Sequence, residues 1–231
     1  MKKILALCGS RNLESKGLEF LKEIKSHFNK KSDLQFEILT PNDYKLNPVS
    51  IGSKFFLTGK DDDDQKDDGA WLKNKILECD FLIVNSPVYS LNVSSDIKIL
   101  IDRISPWSHI FRLLGKPGMT MTMGSGRGHL EVEAYLDHMF TSFGMNLIEN
   151  LSFTNKKEFL KFDFEILVSK ICKTIYEKNK FEVPLLLEMQ YQEHKKIISK
   201  QPYSYFENKY WTENGLFDFT SLQEFVNYKN I

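Results

Sequence analysis

Apolar and polar positions alternate between two kinds of segment along this chain. Ile4-Leu5-Ala6-Leu7-Cys8 is an unbroken apolar run ended by Gly9. A run without polar alternation predicts a strand buried on both faces, as in a parallel sheet. Leu18, Leu21, Ile24 and Phe28 then recur at helical spacing and predict an amphipathic helix over 17–28. Leu34, Phe36 and Ile38 alternate and predict a second strand over 34–39. Residues 40–69 hold Pro41, Pro48, Gly52, Gly59 and an acidic run, and predict a long loop. Trp71, Lys75, Ile76 and Cys79 belong to a helix capped by Asp67 or Asp68. Phe81-Leu82-Ile83-Val84 is a third strand, closed by Asn85-Ser86-Pro87. A helix over 97–104 stops before Pro106, and a strand over 119–123 lies between Gly118 and Gly124. A helix over 132–143 ends at Gly144; a strand over 147–153 and a helix over 164–176 follow.

Five strands each followed by a helix predict an α/β fold, a parallel sheet covered on both faces. Five strands suit the flavodoxin-like order, whose ligands sit beyond the carboxyl ends of the strands. The predicted architecture is a flavodoxin-like three-layer sandwich over residues 1–180, with an aromatic-rich extension over 181–231. That extension carries Tyr191, Tyr203, Phe206, Trp211, Phe217 and Phe225 among others, too aromatic for a disordered tail. A helix is expected over 185–198 and irregular chain after it. Packing, a subunit interface or a lid are the roles it can fill.

Composition narrows the function. Lys+Arg and Asp+Glu both number 31, so formal net charge is zero, which argues against a nucleic-acid binder with a broad basic surface. Three widely spaced cysteines, Cys8, Cys79 and Cys172, give no disulfide framework or thiolate metal cage and fit a reducing compartment. The apolar run after the basic start is too short for a signal peptide, and none is long enough to span a membrane. Cytoplasmic residence is expected.

Three loops would meet at the carboxyl edge of the sheet. The first, Gly9-Ser10-Arg11-Asn12-Leu13-Glu14-Ser15-Lys16-Gly17, leads into a helix and offers hydroxyls, backbone N–H groups and two cations, which suit a phosphate. It is neither a P-loop nor a Cys-x5-Arg phosphatase loop, because Glu14 stands where the arginine belongs. The second, Ser86 to Ser94, brings Pro87, the flat face of Tyr89 and the Asn92 amide, which suit a planar heterocycle with polar edges. The third, Gly124-Ser125-Gly126-Arg127-Gly128, lets backbone approach a ligand. The acidic run Asp61-Asp62-Asp63-Asp64-Gln65-Lys66-Asp67-Asp68 lacks EF-hand spacing and is expected to be a solvated loop with helix capping. His129, Asp137 and His138 show no metal-ligand spacing, and no metal site is expected; His129, with Glu131 and Glu133, is a candidate for touching substrate.

Gly9-Ser10-Arg11…Ser15, then Ser86-Pro87-Val88-Tyr89…Asn92-Val93-Ser94…Lys98…Ile101-Asp102-Arg103, then Gly115-Lys116-Pro117 before the glycine-rich loop, resemble the NAD(P)H-dependent FMN reductase family over about residues 1–150. The nearer likeness is to its multimeric-flavodoxin branch, which includes the iron–sulfur flavoproteins. The cysteines that hold a cluster in those members have no counterpart between Cys8 and Cys79, so no cluster is expected. The resemblance implies that Ser10, Arg11, Asn12, Ser15, Lys16 and Gly17 bind the FMN phosphate. It places Pro87, Val88, Tyr89, Ser90, Leu91 and Asn92 on the flavin ring, with Gly124, Ser125, Gly126, Arg127 and Gly128 along its other edge. Lys98, Asp102 and Arg103 look like helix-anchoring or subunit-contact residues. The implied activity is electron transfer from NADH or NADPH through FMN to a small-molecule acceptor, in a homodimer or homotetramer, with the chemistry on the flavin and no separate catalytic residue. The alternatives are an FMN carrier for a protein partner, a binding or assembly module that has lost flavin, and a flavin-dependent enzyme that modifies a peptide or metabolite.

Overall fold

The structure is a computed structural model that describes residues 1–28, 33–50, 54–124, 126–154, 158, 160–177 and 180–231. Five strands, β1 (Lys2–Cys8), β2 (Leu34–Leu39), β3 (Phe81–Pro87), β4 (Pro117–Met123) and β5 (Asn146–Phe153), form one parallel sheet in the order β2-β1-β3-β4-β5. The flavodoxin-like expectation holds. Alternate residues of the central strands β1 and β3 feed two cores, which is why these two read as continuous apolar runs. Leu5 and Leu7 of β1 with Leu82 and Val84 of β3 face α3 (Gly69–Glu78), α4 (Ser95–Ile104) and α5 (His129–Ser142). Ile4, Ala6, Phe81 and Ile83 face α1 (Lys16–Phe28) and α6 (Phe164–Tyr176). No helix among the described residues is long and apolar enough to cross a membrane.

Three segments differ from the expected pattern. β3 continues through Asn85, Ser86 and Pro87, because the ladder to β4 runs on to Pro87 opposite Met123. The 40–69 segment holds α2 (Lys54–Thr58) and a 3-10 turn at Asp62–Gln65; Ile51, Gly52 and Ser53 lie outside the described residues. Its acidic run is not a solvated loop. The buried Arg103 guanidinium donates to Asp67 (Nη1–Oδ2, 2.5 Å), Asp64 (Nη2–Oδ1, 2.6 Å), Asp61 (Nε–Oδ2, 3.2 Å) and the Asn47 carbonyl (3.1 Å). Lys73 adds bonds to Asp61 (2.7 Å) and Asp64 (2.9 Å), and Asp63 accepts from the N–H and hydroxyl of Ser50. Asp68 is the N-cap residue of α3, but its carboxylate accepts the Lys45 N–H; Asp67 takes the Gly69 N–H. The run therefore clamps residues 45–50 onto α3 and α4, and Arg103 is the helix anchor that the resemblance implied.

The extension is helical rather than irregular after residue 198. It comprises α7 (Leu185–Ile198), α8 (Phe206–Asn214) and α9 (Leu222–Lys229). The signal for α9 was in the sequence: Ser221-x-x-Glu224 is a capping-box spacing, and Ser221 Oγ accepts the Glu224 N–H (3.1 Å). Tyr191 and Trp211 stack with centroids 5.4 Å apart, and the Trp211 indole donates to the His109 carbonyl (2.8 Å). The extension thus shares a core with Ile110 and Phe111 in the segment that leads into β4. Gln190 also donates to the Ser108 and Ser142 carbonyls (2.9 and 3.0 Å). Both anchors precede strands, so the extension lies along the amino edge of the sheet.

Candidate functional site

At the opposite, carboxyl edge, β1 turns toward β2 on one side and β3 lies on the other, the switch point where open α/β sheets bind ligands. A cavity of about 340 Å³ opens there. One wall is the loop from β1 into α1. Ser10, Asn12, Ser15, Lys16 and Gly17 all line it, as expected. The loop is braced from within: Asn12 N–H donates to Ser10 Oγ (3.2 Å), Glu14 N–H to Asn12 Oδ1 (2.9 Å) and Leu18 N–H to Ser15 Oγ (3.3 Å). Ser15 thereby caps α1 and holds its first turn toward the cavity. Each serine oxygen accepts in these bonds and keeps a hydroxyl hydrogen to donate.

The far wall is Pro87, Val88, Tyr89, Met123 and Gly124. Tyr89 and Asn92 exchange backbone hydrogen bonds (2.9 and 3.0 Å) around Ser90 (φ 50°) and Leu91 (φ 64°). Two consecutive left-handed residues make a type I′-like turn normally built from Asn and Gly, so this turn carries strain beside the cavity. It is pinned where the Ser94 N–H donates to Ser86 Oγ (3.0 Å) and Ser94 Oγ accepts the Ile97 N–H (3.3 Å) at the start of α4. Gly9 fits only because a Cβ there would lie 2.3 Å from Ile97.

The floor holds a residue that the sequence reading did not single out. Asn85 is buried at the end of β3 and lines the cavity. Its Nδ2 donates to the Met121 carbonyl (3.3 Å), and its Oδ1 accepts from the Cys8 thiol (3.4 Å). A Cβ on Gly17 would sit 2.3 Å from Asn85 Oδ1, so glycine lets the helix start close on the amide. An amide in an otherwise apolar buried strand was the available signal. Burial pushes the Cys8 thiol up, as expected of a packed residue rather than a nucleophile.

Seven other expected residues do not line the cavity. Arg11 turns aside and forms a bidentate pair with Asp96 on α4 (2.7 and 3.1 Å), which raises its pKa further. Ser90 and Leu91 are the exposed tip of the strained turn, and Asn92 Oδ1 accepts its neighbour Val93's N–H (2.8 Å). Gly128 (φ 96°) starts α5 so close to the second loop that a Cβ would lie 2.7 Å from Leu91 Cα. Gly124 packs on Val88 in the same way, so these two glycines serve loop-to-loop packing. Gly126 has open space around it, Arg127 is exposed, and Ser125 lies outside the described residues. His129 Nδ1 is 3.1 Å from the Gly126 carbonyl oxygen. Tyr44, from the 40–69 segment, is packed near Asp96, Cys8 and Arg11; burial and then Asp96 push its hydroxyl pKa up.

Fold and cavity together define a flavodoxin-like protein with a donor-rich helix start facing an apolar, partly aromatic wall. The model of the NADPH-dependent FMN reductase family matches residues 2–159, and the chain belongs to that family. That family is described by its activity, the NADPH-dependent reduction of FMN. An iron–sulfur flavoprotein of Archaeoglobus fulgidus is 32% identical over 126 residues, 51% of this chain and 57% of that protein. The chain thus matches little more than half the length of this relative. Among solved structures, the apo form of the NADH:FMN oxidoreductase EMOB gives a TM-score of 0.52 at 19% identity, over 76% of this chain and 88% of that one. RosB gives 0.56 at 12%, over 95% and 88%. An azoreductase from Bacillus anthracis str. Sterne gives 0.51 at 17%, over 78% and 100%. At these identities the structures bear on the fold alone.

The residues present fit FMN. Two hydroxyls, an amide, the Lys16 ammonium and a capped helix start supply donors for a phosphate at one end. Pro87, Val88 and Tyr89 offer a flat apolar wall for a ring at the other.

Proposed function

We propose that this cleft holds FMN, with its phosphate on Ser10, Asn12, Ser15, Lys16 and the first turn of α1, and its ring along Pro87, Val88, Tyr89 and Gly124. The protein then passes electrons from NADH or NADPH to a small-molecule acceptor in the cytoplasm. The observation that carries this reading is the single cavity that joins an anion-binding helix start to an aromatic wall at the switch point. RosB, a protein of the same fold, was crystallised with a flavin 5′-phosphate intermediate, and EMOB is named for NADH and FMN. FMN supplies the redox chemistry when bound. The chain's own residues bind and orient: Lys16 and the helix start balance the phosphate, and the Ser86–Ser94 bond fixes the loop that carries Tyr89. The extension, on the other edge of the sheet, adds no residue to the cleft of its own chain. That removes one motive for the peptide- or metabolite-modifying alternative.

A visible spectrum of the purified protein, identification of any flavin released on denaturation, and anaerobic addition of NADH or NADPH test the reading. A yellow protein that releases FMN and bleaches with reduced nicotinamide is expected. Bound FMN that neither nucleotide reduces supports the carrier instead. A colourless protein that takes up no added FMN overturns the cofactor assignment.

A further inference from the structure

Asn85 is out of keeping with its strand. Phe81 and Ile83, which share its face of β3, are apolar and fully buried, and Asn85 itself is 1% exposed. A buried amide is costly unless its donors and acceptors are met. Here they are met only in part. Nδ2 reaches the Met121 carbonyl in a long bond of 3.3 Å, and Oδ1 is served by the Cys8 thiol, a weak donor, at 3.4 Å. An amide has two N–H donors and two acceptor sites, so one of each remains. No second acceptor meets Nδ2 among the described residues.

The neighbours fix where the remaining donor points. The Met121 carbonyl can only accept, so the nitrogen faces β4 and the oxygen faces β1. Gly17 covers the amide from the helix side, where a Cβ would lie 2.3 Å from Oδ1 and 3.1 Å from Nδ2. The side left open is the cavity, which Asn85 lines. Ser10, Ser15 and Lys16 stand at the β1 end of that cavity, and Met123 and Gly124 at the β4 end. Nδ2 therefore lies between the donors of the helix start and the apolar wall.

We propose that Asn85 is a cofactor-binding residue whose second N–H donates to a hydroxyl of the ribityl chain of FMN. The proposal rests on the cofactor reading above. With the phosphate on the helix start and the ring on the wall, the ribityl chain is the part that crosses the floor. A polyol also matches an amide that still offers both a donor and an acceptor, whereas a phosphate dianion matches the donor alone. The close fit of Gly17 on the amide then has a second consequence. It holds the side chain in place before the cofactor arrives, so little rotamer freedom is lost on binding.

Fluorescence titration of the wild type and of Asn85→Ala with FMN, riboflavin and lumiflavin tests this, since lumiflavin has a methyl group in place of the ribityl chain. Asn85→Ala should weaken FMN and riboflavin by the same factor, about three- to tenfold for one hydrogen bond, and leave lumiflavin within about twofold. A larger loss for FMN than for riboflavin assigns the amide to the phosphate. An equal loss for all three makes it a support of the cavity walls. Either result overturns the proposal, as does an unchanged affinity for FMN. A wild type that binds none of the three removes the cofactor reading and this proposal with it. If circular dichroism shows that Asn85→Ala does not fold, the wild type carries the test through the NMR signals of its side-chain amides. FMN and riboflavin should each move one of the two Asn85 Nδ2 protons downfield, and lumiflavin neither. A shift with FMN alone, or with none of the three, overturns the assignment.

Discussion

Replacing Arg103 by methionine keeps much of the aliphatic volume and removes the guanidinium. That group is fully buried and serves Asp61, Asp64, Asp67 and the Asn47 carbonyl at once. Without it, Lys73 still pairs with Asp61 and Asp64, while Asp67 keeps only the Asn47 and Gly69 N–H groups. Removing one partner from a buried ion pair costs about 3–5 kcal/mol. Lys73 and the partial exposure of Asp61 and Asp64 put the expected loss at the lower end, about 3 kcal/mol. For a chain of this size that lowers the melting temperature by about 6–12 °C. The sign with pH follows from the carboxylates. Burial alone would raise the pKa of Asp61 and Asp67, but Lys73 and Arg103 outweigh it and hold both below the usual value. Groups depressed in this way contribute stability that is present above the unfolded pKa, near 4, and lost as pH falls through the folded one. In Arg103→Met burial dominates for Asp67, and protonation relieves the orphaned charge. The gap between wild type and variant should therefore be widest above about pH 6 and shrink toward pH 4. Urea denaturation followed by circular dichroism at several pH values measures it. A gap below about 1 kcal/mol, or one constant from pH 4 to 8, would refute the account of Arg103 as the centre of the clamp.

Two further outcomes concern the cleft. If Arg11 neutralises Asp96 beside the proposed phosphate site, Arg11→Ala should weaken FMN by about three- to fivefold, leave riboflavin unchanged, and be rescued when Asp96→Ala is added. Fluorescence titration with both flavins reads this; equal losses for the two flavins would show that the pair only holds the loop. Leu91→Gly should raise the melting temperature by about 2 °C, since leaving a left-handed φ recovers about 1–2 kcal/mol and glycine's chain entropy returns about half of it. A lower melting temperature would mean that the packing of Leu91 on Gly128 outweighs the strain.

β1 and β3, at the centre of the sheet, were legible because strands covered on both faces write themselves as short apolar runs, and β2 because its apolar residues alternate. α1 and α6 were legible because one face of each is buried and the other wet. α2 and α8 were not, since short helices packed largely through aromatic residues show little 3.6-residue periodicity, whereas α9 carried a signal in its capping box and in Leu222, Phe225 and Val226 that the periodicity of longer helices overshadows. The clamp was hidden for a different reason. A run of aspartates looks solvated until Arg103, some forty residues away in sequence, is seen folded into it. Of the candidate site, the cap and the donors of the first loop are legible in the sequence because a helix start is local: Ser15 stands at cap spacing, and it does accept the Leu18 N–H. Arg11 was assigned to the phosphate because a cation in such a loop usually faces it, and nothing nearby in sequence betrays Asp96. The close packing of Gly124 on Val88 and of Gly128 on Leu91 is not legible in the sequence, because only the tertiary structure supplies those contacts.

α4 explains how the insertion and the extension bear on the cleft without reaching it. At its first turn Ser94 pins the Tyr89 loop through Ser86, and Asp96 holds Arg11 on the first loop. At its last turn Arg103 enters the clamp, and the segment that follows receives the Trp211 indole at His109. One ten-residue helix therefore joins both walls of the cleft to both additions to the minimal five-stranded fold. Its buried stripe of Ile97, Leu100, Ile101 and Ile104 leaves it little freedom to tilt independently of the sheet. The aspartates and aromatic helices thus act as distant supports for a strained turn. Without such support the left-handed pair at Ser90 and Leu91 would relax, and Tyr89 would lose the position that makes it a wall of the cleft.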